Sequence, residues 1–161
     1  MSQRAWRPMR GKGPAVFRDY DDAAVDAAYD QAAYAPNREQ LINRRIRDSE
    51  LARPRIGEPA RVACGPAEIE RLDIYRTGHV AAPVFVFIHG GAWRSGRSKD
   101  FYNSRRDAPR RWAHYVVPEF AWVQDVGGSL MILADQVRRA VAWVNQNAAL
   151  LRRRPGPAVH R

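Results

Sequence analysis

Two helical patterns come first along the chain. Residues 21–34 are alanine-rich and place apolar side chains at helical spacing, which predicts an amphipathic helix. Residues 38–51 show the same period, and Pro54 predicts that this second helix ends before it, because the residue ahead of a proline disfavours helical geometry. We therefore expect two helices before any strand.

Two strand patterns of different kinds follow the helices. Residues 68–76 alternate apolar and polar positions and stop at Thr77-Gly78, which predicts an antiparallel strand with one buried face. Residues 83–88, Pro-Val-Phe-Val-Phe-Ile, are a continuous apolar run, typical of a parallel strand that helices cover on both faces.

A third strand is predicted at residues 115–117, followed by Gly127-Gly128 and a long periodic helix. The expected apolar stripe of that helix consists of Leu130, Leu133, Val137, Val141 and Val144. Strands that alternate with helices indicate an α/β fold with right-handed crossovers, in which antiparallel strands come first and parallel strands with covering helices follow.

Composition limits the class of protein. A chain of 161 residues that is 45% hydrophobic can bury a real core, so we expect one folded domain at 21–150, between a basic flexible N-terminus at 1–20 and a basic irregular tail at 151–161. The single cysteine, Cys64, excludes an internal disulfide framework, and no zinc-ligand spacing is present. We expect no cofactor or metal. With no signal peptide or membrane-spanning segment in the sequence, we expect a cytoplasmic protein.

The net charge of +10 raises the question of an anionic partner. The excess is concentrated in three short segments, whose basic residues are Arg4, Arg7, Arg10, Lys12, Arg105, Arg106, Arg110, Arg111, Arg152, Arg153, Arg154 and Arg161. Since the rest of the chain is near neutral, a nucleic-acid partner is not favoured. A non-catalytic basic interaction module, which binds another protein or a polyanion, stays open as an alternative function.

The candidate chemistry lies in His89-Gly90-Gly91-Ala92-Trp93, directly after the apolar strand run. In acyl transfer the carbonyl oxygen becomes negatively charged, and fixed backbone N–H groups stabilise it. Glycines suit such a loop because they permit tight dihedral angles and close approach of a ligand. The end of a parallel strand is also where α/β sheets bind ligands.

This motif, with the upstream strand Leu72-Asp73-Ile74-Tyr75, resembles the α/β-hydrolase superfamily, especially its esterase and arylformamidase (kynurenine formamidase-like) branch. The resemblance covers residues 21–147. It implies hydrolysis of a small carboxylic ester or aryl formamide, with a Ser nucleophile, an acid and a His base.

The resemblance also implies a role for each loop residue. Gly90, Gly91 and Ala92 would supply oxyanion-hole N–H groups, and His89 would shape the loop rather than act as a base. Trp93 would either line an acyl or aromatic pocket or pack beneath its own loop.

The nucleophile of that family is missing from this sequence. No Gly-x-Ser-x-Gly occurs, Ser95 falls inside the oxyanion loop, and Ser129 begins a helix. His160 is the only histidine after that helix and lies in the Pro/Arg-rich tail. We therefore expect a chain truncated before the nucleophile elbow, with no assignable catalytic residue and no competent catalysis.

A consequence follows from this expectation. The apolar strand at 83–88 would lack a neighbour on one side, so we expect self-association through an exposed strand edge.

Residues 103–112 and the tail both contain an excess of arginine and lack a periodic pattern of apolar residues. Our hypothesis is that a transient frameshift altered the first segment and that a second frameshift ended the chain before the nucleophile elbow. The encoding nucleotide sequence tests this hypothesis.

Overall fold

The computed structural model describes residues 13–30, 33–101 and 112–152. The expectations for residues 1–12, most of the 103–112 segment and nearly all of the tail therefore lie outside the described residues. The elements in chain order are α1 (Asp22–Tyr29), α2 (Arg38–Ile56), β1 (Ala60–Ala63), β2 (Arg71–Tyr75), β3 (Val84–Val86), β4 (His114–Pro118), a short 3-10 helix (Val123–Val126) and α3 (Leu130–Leu151). No helix in the described ranges has the length and apolar character needed to span a membrane.

The chain forms two compact units, Met1–Asn43 and Arg44–Arg161, divided within α2. In the first unit, the Asp21 side chain begins α1 by accepting the backbone N–H of Ala24 at 2.8 Å. The helix ends at Tyr29, so the predicted continuation to residue 34 is wrong. Asp30 has extended dihedrals and ends the helix.

The second unit contains a mixed four-stranded sheet in the order β1-β2-β4-β3. β2 is antiparallel to both β1 and β4, whereas β3 runs parallel to β4, with Phe85 opposite Tyr115. The predicted α/β fold, with antiparallel strands followed by a parallel pair, is confirmed. β1 was not predicted, because Ala60–Ala63 is short and has no apolar alternation.

Hydrophobic clusters cover both faces of this sheet. The α3 side contains Leu72, Ile74, Val116, Ala140, Val144 and Leu151. The opposite side contains Tyr75, Tyr115 and Val117, against which Ala52, Ile56 and Phe87 pack. The prediction that β2 has one buried face is wrong, because side chains on both faces are covered: Leu72 and Ile74 enter the α3-side cluster, and Tyr75 enters the opposite one.

Two predicted helix features also need correction. Helix α2 continues through Pro54 to Ile56, and the N–H of Gly57 donates to the Arg53 carbonyl at 3.0 Å. In α3 the predicted stripe is wrong at Leu130 and Val141, which are exposed. The buried positions are Leu133, Gln136, Ala140, Val144 and Leu151.

β3 is an edge strand in the described part of the sheet. The N–H of His114 donates to Pro83 and the N–H of Phe87 donates to Val116, both at 2.8 Å. Alternate residues of a strand direct their backbone groups to opposite sides, so those of Val84 and Val86 face away from β4. Phe85 and Ile88 are exposed, which corrects the prediction that helices cover both faces of this run.

Candidate functional site

The candidate site lies at the carboxyl ends of the parallel strands. His89-Gly90-Gly91-Ala92-Trp93 follows β3, and Glu119 and Phe120 follow the neighbouring β4. Parallel pairing brings these two strand ends together at one edge of the sheet. We call residues 89–97 the oxyanion loop below, for the role that the sequence predicts.

The oxyanion loop has backbone donors that no described group accepts. The backbone N–H groups of residues 90–93 have no acceptor within the described ranges, whereas the N–H groups of Arg94 and Ser95 both donate to the carbonyl of Gly91, at 3.0 and 3.1 Å. Four successive N–H groups therefore have no partner among the described residues. The three residues for which oxyanion donors were predicted, Gly90, Gly91 and Ala92, are among them.

The loop backbone turns through left-handed conformations. The φ angles of Gly91, Ala92 and Trp93 are +130°, +52° and +62°. In such a conformation each residue other than glycine lowers the stability of the folded protein by about 1–3 kcal/mol. Contacts from surrounding residues must therefore hold the loop in this shape. A Cβ on Gly91 would overlap the backbone carbonyl oxygen of Ser95. Only glycine fits this turn without a shift of the loop.

His89 is buried beneath the loop. Its ring stacks between Phe101 and Phe120, with centroid separations of 4.9 and 4.4 Å. Its Nδ1 lies 3.0 Å from the carbonyl oxygen of Gly90 and therefore donates to it, because a carbonyl can only accept. The structure thus places this side chain in packing and in a local hydrogen bond.

Trp93 has both a packed side and an exposed side. Its ring centroid lies 5.7 Å from that of Phe120, yet 43% of the residue is exposed. Its carbonyl accepts the N–H of Val123 at 2.8 Å. Residues after β4 brace the loop further, since Trp122 Nε1 donates to the carbonyl of Gly96 at 2.9 Å. The Trp93 ring therefore packs against the segment after β4 and keeps part of its surface exposed.

A buried charged cluster, which the sequence did not predict, lies next to the loop. Ser98 Oγ is 2.6 Å from Asp73 Oδ2 and 2.9 Å from Glu119 Oε2. Arg61 Nε lies 3.4 Å from Asp73 Oδ1, and Arg97 Nη1 lies 3.7 Å from Glu119 Oε1. Both acids are about 4% exposed. The signal that could have identified them is a carboxylate within or directly after an apolar strand.

The described serines near the loop do not form a nucleophile–base pair. Ser95 Oγ is exposed and donates to the Gly91 carbonyl at 3.3 Å. Ser98 is buried and contacts two carboxylates rather than a histidine. Across the described ranges, no group of three His, Cys, Asp or Glu side chains could hold a metal ion.

Comparisons with known proteins identify the fold. No family model and no curated protein match this chain. A candidate thioesterase from Silicibacter sp. TM1040 is similar in structure, with a TM-score of 0.67 and 18% identity over 75% of this chain and 46% of that one. The chain has part of the α/β-hydrolase fold.

A second similar structure is an esterase from Thermogutta terrifontis. Its native form has a TM-score of 0.52 and 19% identity over 60% of this chain and 36% of that one. Its propionate-bound form gives the same TM-score and identity over 61% and 38%. The chain spans less than half the length of each of these proteins.

Proposed function

We propose that this chain forms the oxyanion-loop portion of an esterase-type serine hydrolase that acts on a small carboxylic ester or aryl formamide. Gly90, Gly91 and Ala92 supply the N–H groups for the negatively charged oxygen, and His89 shapes the loop. The nucleophile, the acid and the base are not supplied by these 161 residues. The proposal of an arylformamidase depends on the His-Gly-Gly-x-Trp resemblance alone. The broader proposal of an esterase is also supported by the similar structures.

One observation carries the proposal: successive amides without described acceptors lie at the end of a parallel strand, in a strained turn. Backbone N–H groups usually find a partner, so a run of open donors is costly unless solvent or a ligand satisfies them. A preorganised set of donors at a strand end matches what oxyanion stabilisation needs.

The open edge of β3 supports a further part of the proposal. The N–H of Ala81 donates to the carbonyl of Arg152 at 3.2 Å, which places the end of α3 beside the residues before β3. Among the described residues, the edge of β3 that Val84 and Val86 face has no neighbouring strand. We infer that it pairs with the same edge of a second copy of the chain.

Binding of propionate tests the oxyanion loop, since the similar Thermogutta esterase has been solved with propionate bound. In a titration followed by amide NMR, we expect the resonances of Gly90, Gly91 and Ala92 to move together. Gly91→Ala should abolish the response, because its Cβ overlaps Ser95.

Gly78→Ala is the matched control, since a Cβ there meets nothing within 4 Å and should leave the titration unchanged. Shifts spread over the whole protein, or an unchanged titration in Gly91→Ala, would contradict the proposed role of these amides.

Catalytic incompetence of this polypeptide is tested separately. Donors alone accelerate hydrolysis weakly, so turnover of a p-nitrophenyl ester should barely exceed that of heat-denatured protein. A fluorophosphonate probe should label no serine, because no described serine near the loop is activated by a histidine. Stoichiometric labelling would show that a nucleophile is present after all.

The alternative, a basic interaction module, depends on basic segments that mostly lie outside the described residues. Binding to heparin that weakens steeply between low and high salt would favour it, because counterion release drives such association. Propionate binding with no heparin retention would favour the hydrolase proposal.

A further inference from the structure

Glu119 contacts both ends of the oxyanion loop. At the N-terminal end, His89 Nε2 lies 3.9 Å from Glu119 Oε1, too far for a hydrogen bond, and the two form an ion pair when both ring nitrogens carry protons. At the C-terminal end, Arg97 Nη1 lies 3.7 Å from the same oxygen, and Ser98, the residue just after the loop, donates its backbone N–H to Oε2 at 3.0 Å. One side chain thus connects the entry and the exit of the loop.

Glu119 is itself fixed to the sheet. Its backbone N–H donates to the carbonyl of Arg71 in β2 at 2.7 Å, directly after β4 ends. Its side chain is 4% exposed, so movement of the carboxylate is restricted by its surroundings. The loop is therefore tied to a buried residue that is itself hydrogen-bonded to the sheet.

The burial of this carboxylate is compensated by nearby positive charge. Arg61 Nη2 lies 3.7 Å from Glu119 Oε2, in addition to Arg97 on the other oxygen. A buried charge without such partners is costly, and removing one partner of a buried set is more disruptive than removing an exposed pair. The second acid of the cluster, Asp73, contacts Ser98 and Arg61.

We propose that Glu119 is a positioning residue that holds the oxyanion loop in the conformation presenting the amides of residues 90–93, which have no acceptor among the described residues. The inference rests on the proposed function of those amides. Ala92 and Trp93 have left-handed dihedrals, and the turn must be held from outside because these residues do not favour it. Fixing both ends of the loop on one carboxylate supplies that restraint.

Glu70 provides a matched control within the same chain. It is also a buried glutamate, but its carboxylate accepts from Arg139 Nε in α3 at 2.7 Å and from the backbone N–H of Ala67 at 3.2 Å. Glu119→Gln and Glu70→Gln are thus the same chemical change in two buried acids. Among the described residues, the first acid contacts the oxyanion loop and the second does not.

The rate of amide hydrogen exchange in the loop measures what each acid contributes to holding it, and the measurement needs no ligand. The N–H groups of Arg94 and Ser95 close the loop turn on Gly91, and the N–H of Ser98 donates to Glu119. In Glu119→Gln we expect these three amides to exchange about tenfold faster, the size expected when a charge-assisted hydrogen bond is weakened. In Glu70→Gln they should stay within about twofold, while the amide of Ala67 speeds up instead.

Two outcomes overturn the inference: equal acceleration of the loop amides in both variants, or no acceleration in Glu119→Gln. Should Glu119→Gln fail to fold, Arg97→Lys takes its place. Arg97 is partly exposed, and this substitution keeps a positive charge near the Trp122 ring while it removes the guanidinium nitrogen that lies 3.7 Å from the carboxylate. The same acceleration at Arg94 and Ser95 is then expected, and its absence counts against the inference. Failure of propionate to bind would contradict the proposed function. It would not affect the hydrogen-exchange test, because that test uses no ligand.

Discussion

The rings of His89 and Phe120 stack with their centroids 4.4 Å apart and their planes 9° apart. His89 begins the loop after β3, and Phe120 follows β4, so the contact joins the carboxyl ends of two parallel strands. The loop, whose amides at 90–93 have no acceptor among the described residues, therefore rests on an aromatic side chain that follows the neighbouring strand. Phe101 closes the other face of the His89 ring.

Removal of this support should be costly. Phe120→Ala deletes a ring that is 2% exposed, and large-to-small changes of this kind typically cost about 3–5 kcal/mol. We expect the urea midpoint of unfolding to fall accordingly. Phe85→Ala, at a position 37% exposed, should cost clearly less. Equal losses in the two variants would mean that Phe120 is not part of a packed support.

His114 should make stability depend on pH. Burial, followed by the charges of Arg76 and Arg152, lowers the pKa of His114 below 6.5, and its Nδ1 accepts the backbone N–H of Thr77 at 3.2 Å. A lowered pKa means that the unfolded chain binds the proton first. Its contribution to stability is therefore complete above pH 6.5 and lost as the pH falls towards the folded-state pKa.

Urea unfolding at a series of pH values checks this dependence. His114→Asn keeps an acceptor for Thr77 but cannot titrate, so the loss of stability between neutral and mildly acidic pH should be smaller in this variant. An identical slope in both proteins would show that other groups cause the acid sensitivity.

Cys64 should react slowly with thiol reagents in the folded protein. Burial, followed by the charge of Glu70, raises the pKa of this thiol from 9.0 to about 11. At pH 8 the reactive thiolate is then about 100-fold scarcer than in an ordinary thiol. Modification by a disulfide reagent should be correspondingly slower in buffer than in urea, and matching rates would contradict the burial of Cys64.

The open edge of β3 should promote self-association. Ile88, 42% exposed at the end of the β3 run, is a suitable place for a charge that discourages strand pairing. Sedimentation should show less dimer or aggregate for Ile88→Lys than for the parent chain. Val80→Lys, an exposed position ahead of the strand, should change little. A parent chain that stays monomeric at high concentration would contradict pairing through this edge.

The parts of the fold that could be predicted from sequence are those specified by local pattern. The apolar run ending at Ile88 and the glycines after it predicted a strand followed by a loop, and the structure places β3 there, shorter than the run. The face of α3 could not be predicted, since Leu130, Met131, Ile132 and Leu133 are apolar on every side of the first turn. Gln136 is buried because its Oε1 accepts the N–H of Ala121 at 2.9 Å, a long-range partner that no period indicates.

The charged cluster was missed for a similar reason. Ser98 lies 25 residues from Asp73 and 21 from Glu119 along the chain, and only the sheet brings the three together. Spacing in sequence carries no signal for such a contact. A buried acid at a strand end is a general indication that a partner exists, but it does not identify which one.

The position of a bound carboxylate tests the central claim most directly. In a crystal structure of this chain grown with propionate, we expect one carboxylate oxygen to lie within about 3.1 Å of at least two backbone nitrogens among Gly90, Gly91 and Ala92. Propionate bound elsewhere, or these nitrogens hydrogen-bonded to other atoms of the protein, would contradict an oxyanion-binding loop.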